Sequence, residues 1–595
     1  MAFIYYEDKR DFMLKFFHRP ILLSIGIIFL VAAILAFRFF KFVVIGHDYM
    51  YYLGNTFALT VALNAQHFSL TGLQIAPVIL NNLGYGIRIF TPILSHLVPA
   101  LIFLFLKLFG IGSISLALKL FQFFIIFGSG LGMYYAVIKI THHKTVALLS
   151  AVFYLSFPYF LSEFYVRSAL GEALCFVGLP VVFLSCYQFL TGQYKKFFYH
   201  FIFGFAVIFF SHLITALYTA IIFIIVILSN FRSWYKQKIA WLACVKVFIT
   251  CCLLFAPFLV SLLEHRFAVD YVVFHNTDLR SQMNVADSTL RPRHYLFFNN
   301  LDANDIVFTL NPVVLVLVLV AIVKFKAMKS KNNLVTKTFL IALIMSGICL
   351  ILACFPFFWL HVPKLFNFIQ YPWRLTVFVA LLLSFAAATP FLFLRLNKVG
   401  YFLTGLVIIL TVVISYKTTN LVKITDLDNI DYTSATNLFA VGTYYESLST
   451  AGKNNFNNLL KREGLVRIVN ASKSETKTST KILVDDTPYL LFTIEQTDPS
   501  LKTVLELPRL YYLGYQIVFT KPNKEKVPLS YQQNQFGLIQ IETQGSGQVE
   551  VKYVGTFWYR LSLIIFAFTI LTLVIAMVLD LKRVDSGKKK IQNNS

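Results

Sequence analysis

The chain has 595 residues, 58% of them hydrophobic and only 13% charged, with a formal net charge of +24 and a mean hydropathy of +0.70. Soluble domains carry about 25% charged residues, so most of this chain must be solvated by lipid, and a soluble enzyme or soluble binding module is excluded. The basic excess is no nucleic-acid footprint either, because it is dispersed in short loops between apolar runs.

Residues 1–20 form a basic N-terminus with Lys9, Arg10, Lys15 and Arg19. The apolar run that follows lacks a small-residue cleavage site and is longer than a signal-peptide core, so it reads as an uncleaved anchor. Apolar runs then recur at 21–44, 92–109, 114–138, 145–160, 173–190, 198–211, 213–229, 239–263, 307–323, 338–360, 374–394, 400–416 and 557–580. Basic loops punctuate them at Lys195-Lys196, Arg232/Lys236/Lys238, Lys324 to Lys337, Arg395/Lys398 and Lys582 to Lys590. Under the positive-inside rule these loops are cytoplasmic. An even number of crossings must then separate the N-terminus from Lys195, although five runs lie between them. The run 92–109 is the one expected not to cross. It begins at Pro92, contains His96 and Pro99, and follows a polar, glycine-rich stretch, as a re-entrant or interfacial helix would.

The expected fold is therefore an α-helical polytopic membrane protein of about 12 transmembrane helices, with both termini cytoplasmic. Residues 21–416 form the transmembrane domain, including a long first external loop at 45–113. Residues 417–556 form an extracytoplasmic, β-sandwich-like domain before the final helix at 557–580, and 581–595 form a basic tail. The sandwich is read from alternating segments such as Tyr489-Leu-Leu-Phe-Thr-Ile and Val549-Glu-Val-Lys-Tyr, separated by turn signals. All seven cysteines lie in apolar runs, without metal-ligand spacing or a disulfide framework outside the membrane.

On this topology the ionisable groups that mark function in membranes gather on the external side. Asp48, in Gly46-His47-Asp48-Tyr49, ends the first span and suits a general base. A short second external loop, 161–172, carries Glu163, Arg167 and Glu172. Ser211-His212 marks a turn between two short helices, Glu264-His265-Arg266 reads as a solvated helix end, and Tyr371-Pro372-Trp373-Arg374 forms another short loop. Arginine forks match phosphate oxygens, so Arg167 and Arg374 are candidate clamps for a phospholipid-type leaving group. Glu172 is a candidate to orient an acceptor, pair with Arg167 or hold a divalent cation, and His212 to bond phosphate or orient Asp48. His47 and Trp373 complete the candidate binding set. Bland readings stand beside these: Asp48 as a plain helix end, Arg167–Glu172 as a structural ion pair, His212 as a packing residue, and Trp373-Arg374 as an interfacial anchor.

Taken together, these residues resemble the GT-C superfamily of polytopic glycosyltransferases, in particular its bacterial YfhO-like branch. The pattern is an aspartate and an interfacial helix in a long first external loop, then an acidic motif in a short one. Asp48, helix 92–109 and Arg167-Ser-Ala-Leu-Gly-Glu172 fill those places. The last also resembles the Arg-Ser-x-x-Gly-x-Asp-x-Glu element of oligosaccharyltransferase catalytic subunits, without its aspartate. Ser211-His212-Leu213, Tyr371-Pro372-Trp373-Arg374 and Leu507-Pro508-Arg-Leu-Tyr-Tyr512-Leu-Gly514-Tyr515 extend the similarity to the bacterial branch. The resemblance implies a polyprenyl-phosphate sugar donor and an acceptor in the cell envelope, such as a teichoic acid, polysaccharide or glycolipid. A divalent cation, magnesium or manganese, serves metal-dependent relatives. Here no acidic pair adjoins Asp48 and the second motif has a single glutamate, so that cofactor stays open. A lipid-linked sugar flippase and a non-catalytic envelope-binding scaffold are the competing classes. The flippase would favour internal repeats and charges deep in the spans.

Overall fold

The computed structural model describes residues 19–274, 285–296, 306–362, 369–394, 397–418, 424–425, 447–469, 478–500 and 502–592. The expected basic residues Lys9, Arg10, Lys15 and Arg395 lie outside these, as does most of 417–446.

The first apolar run forms α1 (Arg19–Lys41). After a short strand β1 (Val43–Val44), paired antiparallel with β2 (Ile424–Thr425), comes α2 (Tyr49–Leu63). The apolar-run reading did not anticipate α2, because Asn55, Thr56 and Thr60 break its hydrophobicity. Those residues are nonetheless buried, packed between neighbouring elements instead of facing lipid. The predicted 92–109 helix is α3 (Leu94–Lys107). Its 14 residues span only ~21 Å at 1.5 Å per residue, short of a ~30 Å core.

Then follow α4 (Ile114–Thr141) and a pair bent by 45°, α5 (Lys144–Leu155) and α6 (Pro158–Tyr165). The second external loop was expected to begin at 161, but Pro158 at the first helical turn starts a helix that runs to Tyr165. Next are α7 (Leu170–Leu190), α8 (Tyr194–Phe209), α9 (Leu213–Ser229) and α10 (Lys238–Ala268). The chain continues with α11 (Pro312–Val323), α12 (Asn333–Cys354), α13 (Thr376–Ala388) flanked by 3₁₀ turns, and α14 (Lys398–Thr418). It closes with α15 (Phe557–Gln592). Among the described residues eight helical segments are long and apolar enough to cross a membrane, nine if the bent pair is one span. The other apolar runs are shorter helices. Of the apolar window 372–393, 94% is buried in protein, against 6% for that of the last span. The segment that begins with Trp373 and Arg374 is thus at the centre of the bundle, and the last span is its lipid-bathed periphery.

The C-terminal region is an antiparallel sandwich. Strands β3 (Arg467–Ile468), β6 (Lys502–Leu510), β10 (Leu538–Gln544) and β9 (Tyr531–Gln533) form one sheet in the order β3-β6-β10-β9. Strands β4 (Thr478–Asp486), β5 (Tyr489–Gln496), β11 (Gly547–Tyr553), β7 (Tyr515–Thr520) and β8 (Lys526–Leu529) form the other in the order β4-β5-β11-β7-β8. Alternating residues such as Leu490, Phe492 and Ile494 fill the space between the sheets.

The same core takes in Ile75, Ile79, Leu83, Ile87 and Ile89 from the loop between α2 and α3. Each is essentially fully buried, worth roughly 1.5–3 kcal/mol relative to exposure, so first loop and sandwich form one folded body. The Leu507-to-Tyr515 motif is the seam. The Leu510 amide donates to Leu83 O at 2.9 Å, and the Tyr512 hydroxyl to Ser447 O at 2.8 Å. Arg509, wholly buried, pairs with Asp485 and donates to Asn82 O at 3.3 Å and Tyr489 O at 3.0 Å. Of Glu264-His265-Arg266, expected in solvent, Arg266 is exposed, but the other two belong to this contact. His265 is buried, and Glu264 accepts from the Thr556 hydroxyl just before the last span. The polar sequence concealed this because its partners come from a domain some 290 residues later.

Replacing Arg509 with methionine should destabilise the sandwich by about 2–3 kcal/mol, since charged hydrogen bonds are lost while Asp485 still reaches solvent. Thermal unfolding and limited proteolysis of residues 447–553 will check this, and an unchanged protein would show that the seam is not held there.

Candidate functional site

Glu172 lies in the first turn of α7. Side chains from α6, the α6–α7 turn and the segment before α13 meet it. From α6 comes Tyr159, whose hydroxyl donates to Glu172 Oε1 at 2.6 Å. From the α6–α7 turn comes Arg167, whose Nη1 donates to Glu172 Oε2 at 2.8 Å and to Glu163 Oε1 at 2.6 Å. From the 3₁₀ turn before α13 comes Arg374, with Nε 3.4 Å from Glu172 Oε2. All four charged groups are buried, Glu163 and Glu172 at 0% and 1% exposure. Two carboxylates and two guanidiniums leave no net charge, which is how a buried cluster of this kind is tolerated.

Aromatic faces wall the cluster. The Arg167 guanidinium lies 4.8 Å over the Trp373 ring, and that of Arg374 5.2 Å over Tyr371. Tyr371 and Trp373 stack at 4.9 Å, and Phe308 packs on both Tyr159 and Trp373. Although burial opposes its charge, Arg167 has its pKa held well above the usual arginine value by Glu163, Glu172, Tyr159 and Asp48 in turn. It is a permanent cation.

Asp48 is brought to this cluster by backbone pairing. Its amide donates to Arg167 O at 2.7 Å, and the His47 amide to Val166 O at 3.0 Å. A side chain at Gly46 would come within 2.8 Å of Val166 O and of Ser168, so this close crossing of the two segments requires glycine. Asp48 occupies the N-cap position of α2, yet its carboxylate makes no capping bond. The half-buried carboxylate lies within the electrostatic reach of Arg167. One turn on, the Tyr52 hydroxyl accepts from the Gly171 amide at 2.8 Å, and a Cβ on Gly171 would strike Ser211 O and that hydroxyl.

His212 begins α9. Its Nδ1 accepts from the Thr215 amide at 3.3 Å, which leaves the ring proton on Nε2. Desolvation at the crowded mouth, then the charge of Arg374, lowers its pKa to about 3, so it is a neutral donor at physiological pH. The structure thus gathers Asp48, Arg167, Glu172, His212, Trp373 and Arg374. The His47 side chain is exposed, and only its backbone takes part. Sequence reasoning assigned no role to Glu163, Tyr159 or Gln370, the last accepting from Arg374 Nη1 at 3.2 Å. Glu163, four residues before Arg167, carried the i,i+4 signal of a helical ion pair. Tyr159 carried none.

The cluster and the sandwich occupy the same end of the bundle. The opposite end is marked by Asp580 of α15, which pairs with Lys195 at 2.7 Å and accepts from Tyr199 at 2.8 Å. Between Glu172 and that end runs α7, whose 21 residues rise ~32 Å. Further along α7, toward the Lys195 end, α7, α9, α12 and α13 line an apolar cavity of about 60 Å³. A cleft of about 430 Å³ opens where α2 and α3 meet the sandwich, with Asn64, Lys107 and Asp486 among apolar residues such as Phe57 and Phe103.

Among the described residues, no group of three or more His, Cys, Asp or Glu side chains is placed to hold a metal ion. Tyr159 and the guanidiniums already engage both oxygens of Glu172, so this donor set does not fit a divalent cation. No protein-family model and no curated protein matches the chain.

Replacing Arg167 with methionine would leave Glu163 and Glu172 buried without their shared cation, a loss of about 3–5 kcal/mol. Thermal unfolding in detergent should show this, with much of the loss recovered when Glu163→Gln is added. An equally unstable double variant would contradict the charge-balance account.

Proposed function

We propose that the protein transfers a sugar from a polyprenyl-phosphate donor to a cell-envelope acceptor (teichoic acid, polysaccharide or glycolipid) at the outer face of the membrane. The observation that supports this reading best is the convergence of Asp48 on the Arg167–Glu172–Arg374 cluster at one mouth of the bundle. In this reading the acceptor hydroxyl oxygen attacks the anomeric carbon and its proton passes to Asp48. The bond from that carbon to the phosphate oxygen breaks, and polyprenyl phosphate leaves. Arg374, whose Nε makes only the long contact to Glu172, is the cation best able to turn toward the leaving phosphate, with the Nε2 proton of His212 beside it. Arg167 keeps Glu172 ionised and aligned, a positioning role, and Glu172 orients the acceptor.

The reading carries a topology of twelve crossings, with α3 lying in the interface, both termini cytoplasmic and residues 417–556 outside. It is supported by Leu101, Phe105, Leu108 and Phe109 of α3 and its end, all exposed apolar side chains as an interfacial helix presents. Gathering of the charges at one mouth favours an enzyme over a scaffold, whose groups would be scattered.

Asp48→Asn should reduce consumption of lipid-linked sugar by at least about 100-fold, the usual weight of a general base, with unchanged protein abundance; full activity would refute the assignment. For the topology, a cysteine introduced at exposed Asn523, in a background freed of native cysteines, should react with a membrane-impermeant maleimide in intact cells. One introduced at Lys195 should not. The reverse pattern would invert the orientation.

A further inference from the structure

Among the described residues five arginines are buried: Arg88, Arg167, Arg374, Arg462 and Arg509. Four have a carboxylate at hand, namely Glu163 and Glu172 for Arg167, Glu172 for Arg374, Glu506 for Arg462 and Asp485 for Arg509. Arg88, in the helical turn Ile87–Phe90 of the first loop, has none among the described residues. Its Nη1 donates to Leu73 O at 2.9 Å, while Nε and Nη2 are buried and unpartnered. These two N–H groups form the side-on fork with which arginine takes two oxygens of one anion.

A second buried group faces the same deficit. Both ring nitrogens of His96 on α3 lack a partner, and its ring is held by Tyr51 and Tyr52, each 5.3 Å away. Arg88 and His96 interact electrostatically, and Tyr51 also acts on Arg88. Burial lowers the Arg88 pKa to about 9, and burial followed by the field of Arg88 lowers that of His96 to about 3. The pair therefore presents one cation and one neutral N–H donor. An unpaired buried cation is costly, and Arg88 and His96 between them leave four buried polar atoms without a partner. Three of those four atoms carry N–H groups, a donor set that the three free oxygens of a phosphate can accept.

We propose that Arg88 and His96 form a buried binding site for a phosphate group, carried either by a prenyl-type lipid or by free phosphate. His96 rests against Tyr51 and Tyr52, one helical turn beyond Asp48 on α2, and the Tyr52 hydroxyl, which holds the Gly171 amide, joins the site to the charge cluster. The site requires no sugar transfer.

Thermal unfolding of the purified full-length protein in detergent, with inorganic phosphate, farnesyl phosphate or farnesol added, tests this. The wild type should gain stability with at least one phosphate and none with farnesol. Response to inorganic phosphate alone identifies free phosphate as the ligand, and response to farnesyl phosphate alone identifies a lipid phosphate. Arg88→Met should melt no lower than wild type without ligand, because it removes an uncompensated charge, and should bind the phosphate at least about tenfold more weakly. His96→Phe, which keeps the ring between the two tyrosines, should likewise lose most of the phosphate response, and decides the matter if Arg88→Met does not fold. Asp48→Asn should keep the response, so failure of the transfer reading and failure of this site are separable. No phosphate response in wild type, an equal response to farnesol, or an undiminished response in the Arg88 or His96 variant would overturn the proposal.

Discussion

The Glu163–Arg167–Glu172–Arg374 cluster is the interaction on which the rest of this structure depends. Burying four charges in a membrane protein is tolerated only when each is matched at short range, and the match demands that α6, the α6–α7 turn, α7 and the segment leading into α13 meet at one point. The backbone of Arg167 in turn receives the Asp48 amide, so the start of α2 is fixed by the same knot. What reads as a set of motifs far apart in sequence is one electrostatic unit.

A second constraint links this unit to the sandwich. The loop between α2 and α3 supplies core residues to the β domain, and the starts of α2 and α3 meet through the Tyr51, Tyr52 and His96 rings. Motion of the sandwich relative to the bundle would therefore be felt at Asp48. This is a physical reason for a β domain to be attached to a membrane site by two widely separated parts of the chain.

Much of this was legible in sequence because the signals were local. Apolar length marked the long helices, alternation marked the β strands, and arginine and glutamate standing out in apolar surroundings marked Arg167, Glu172 and Arg374. The signal failed where partners were remote. Helix α2 was missed because its polar residues are buried against other elements. Glu264-His265 looked solvated because Thr556 and the sandwich that cover it lie far along the chain. Arg88 looked like an ordinary loop cation, since nothing local says that a loop will be folded into a core. The division of labour between the two arginines was also hidden. Both look like phosphate clamps, but in the fold two glutamates and a tyrosine share Nη1 of Arg167.

The most direct test of the account is a cryo-electron microscopy map of the protein with a non-hydrolysable polyprenyl-phosphate sugar analogue. The account predicts density for the sugar between Asp48 and Glu172, at the mouth walled by Trp373. Sugar density confined to the cleft beside Asn64 and Asp486, with the charge cluster empty, would contradict it.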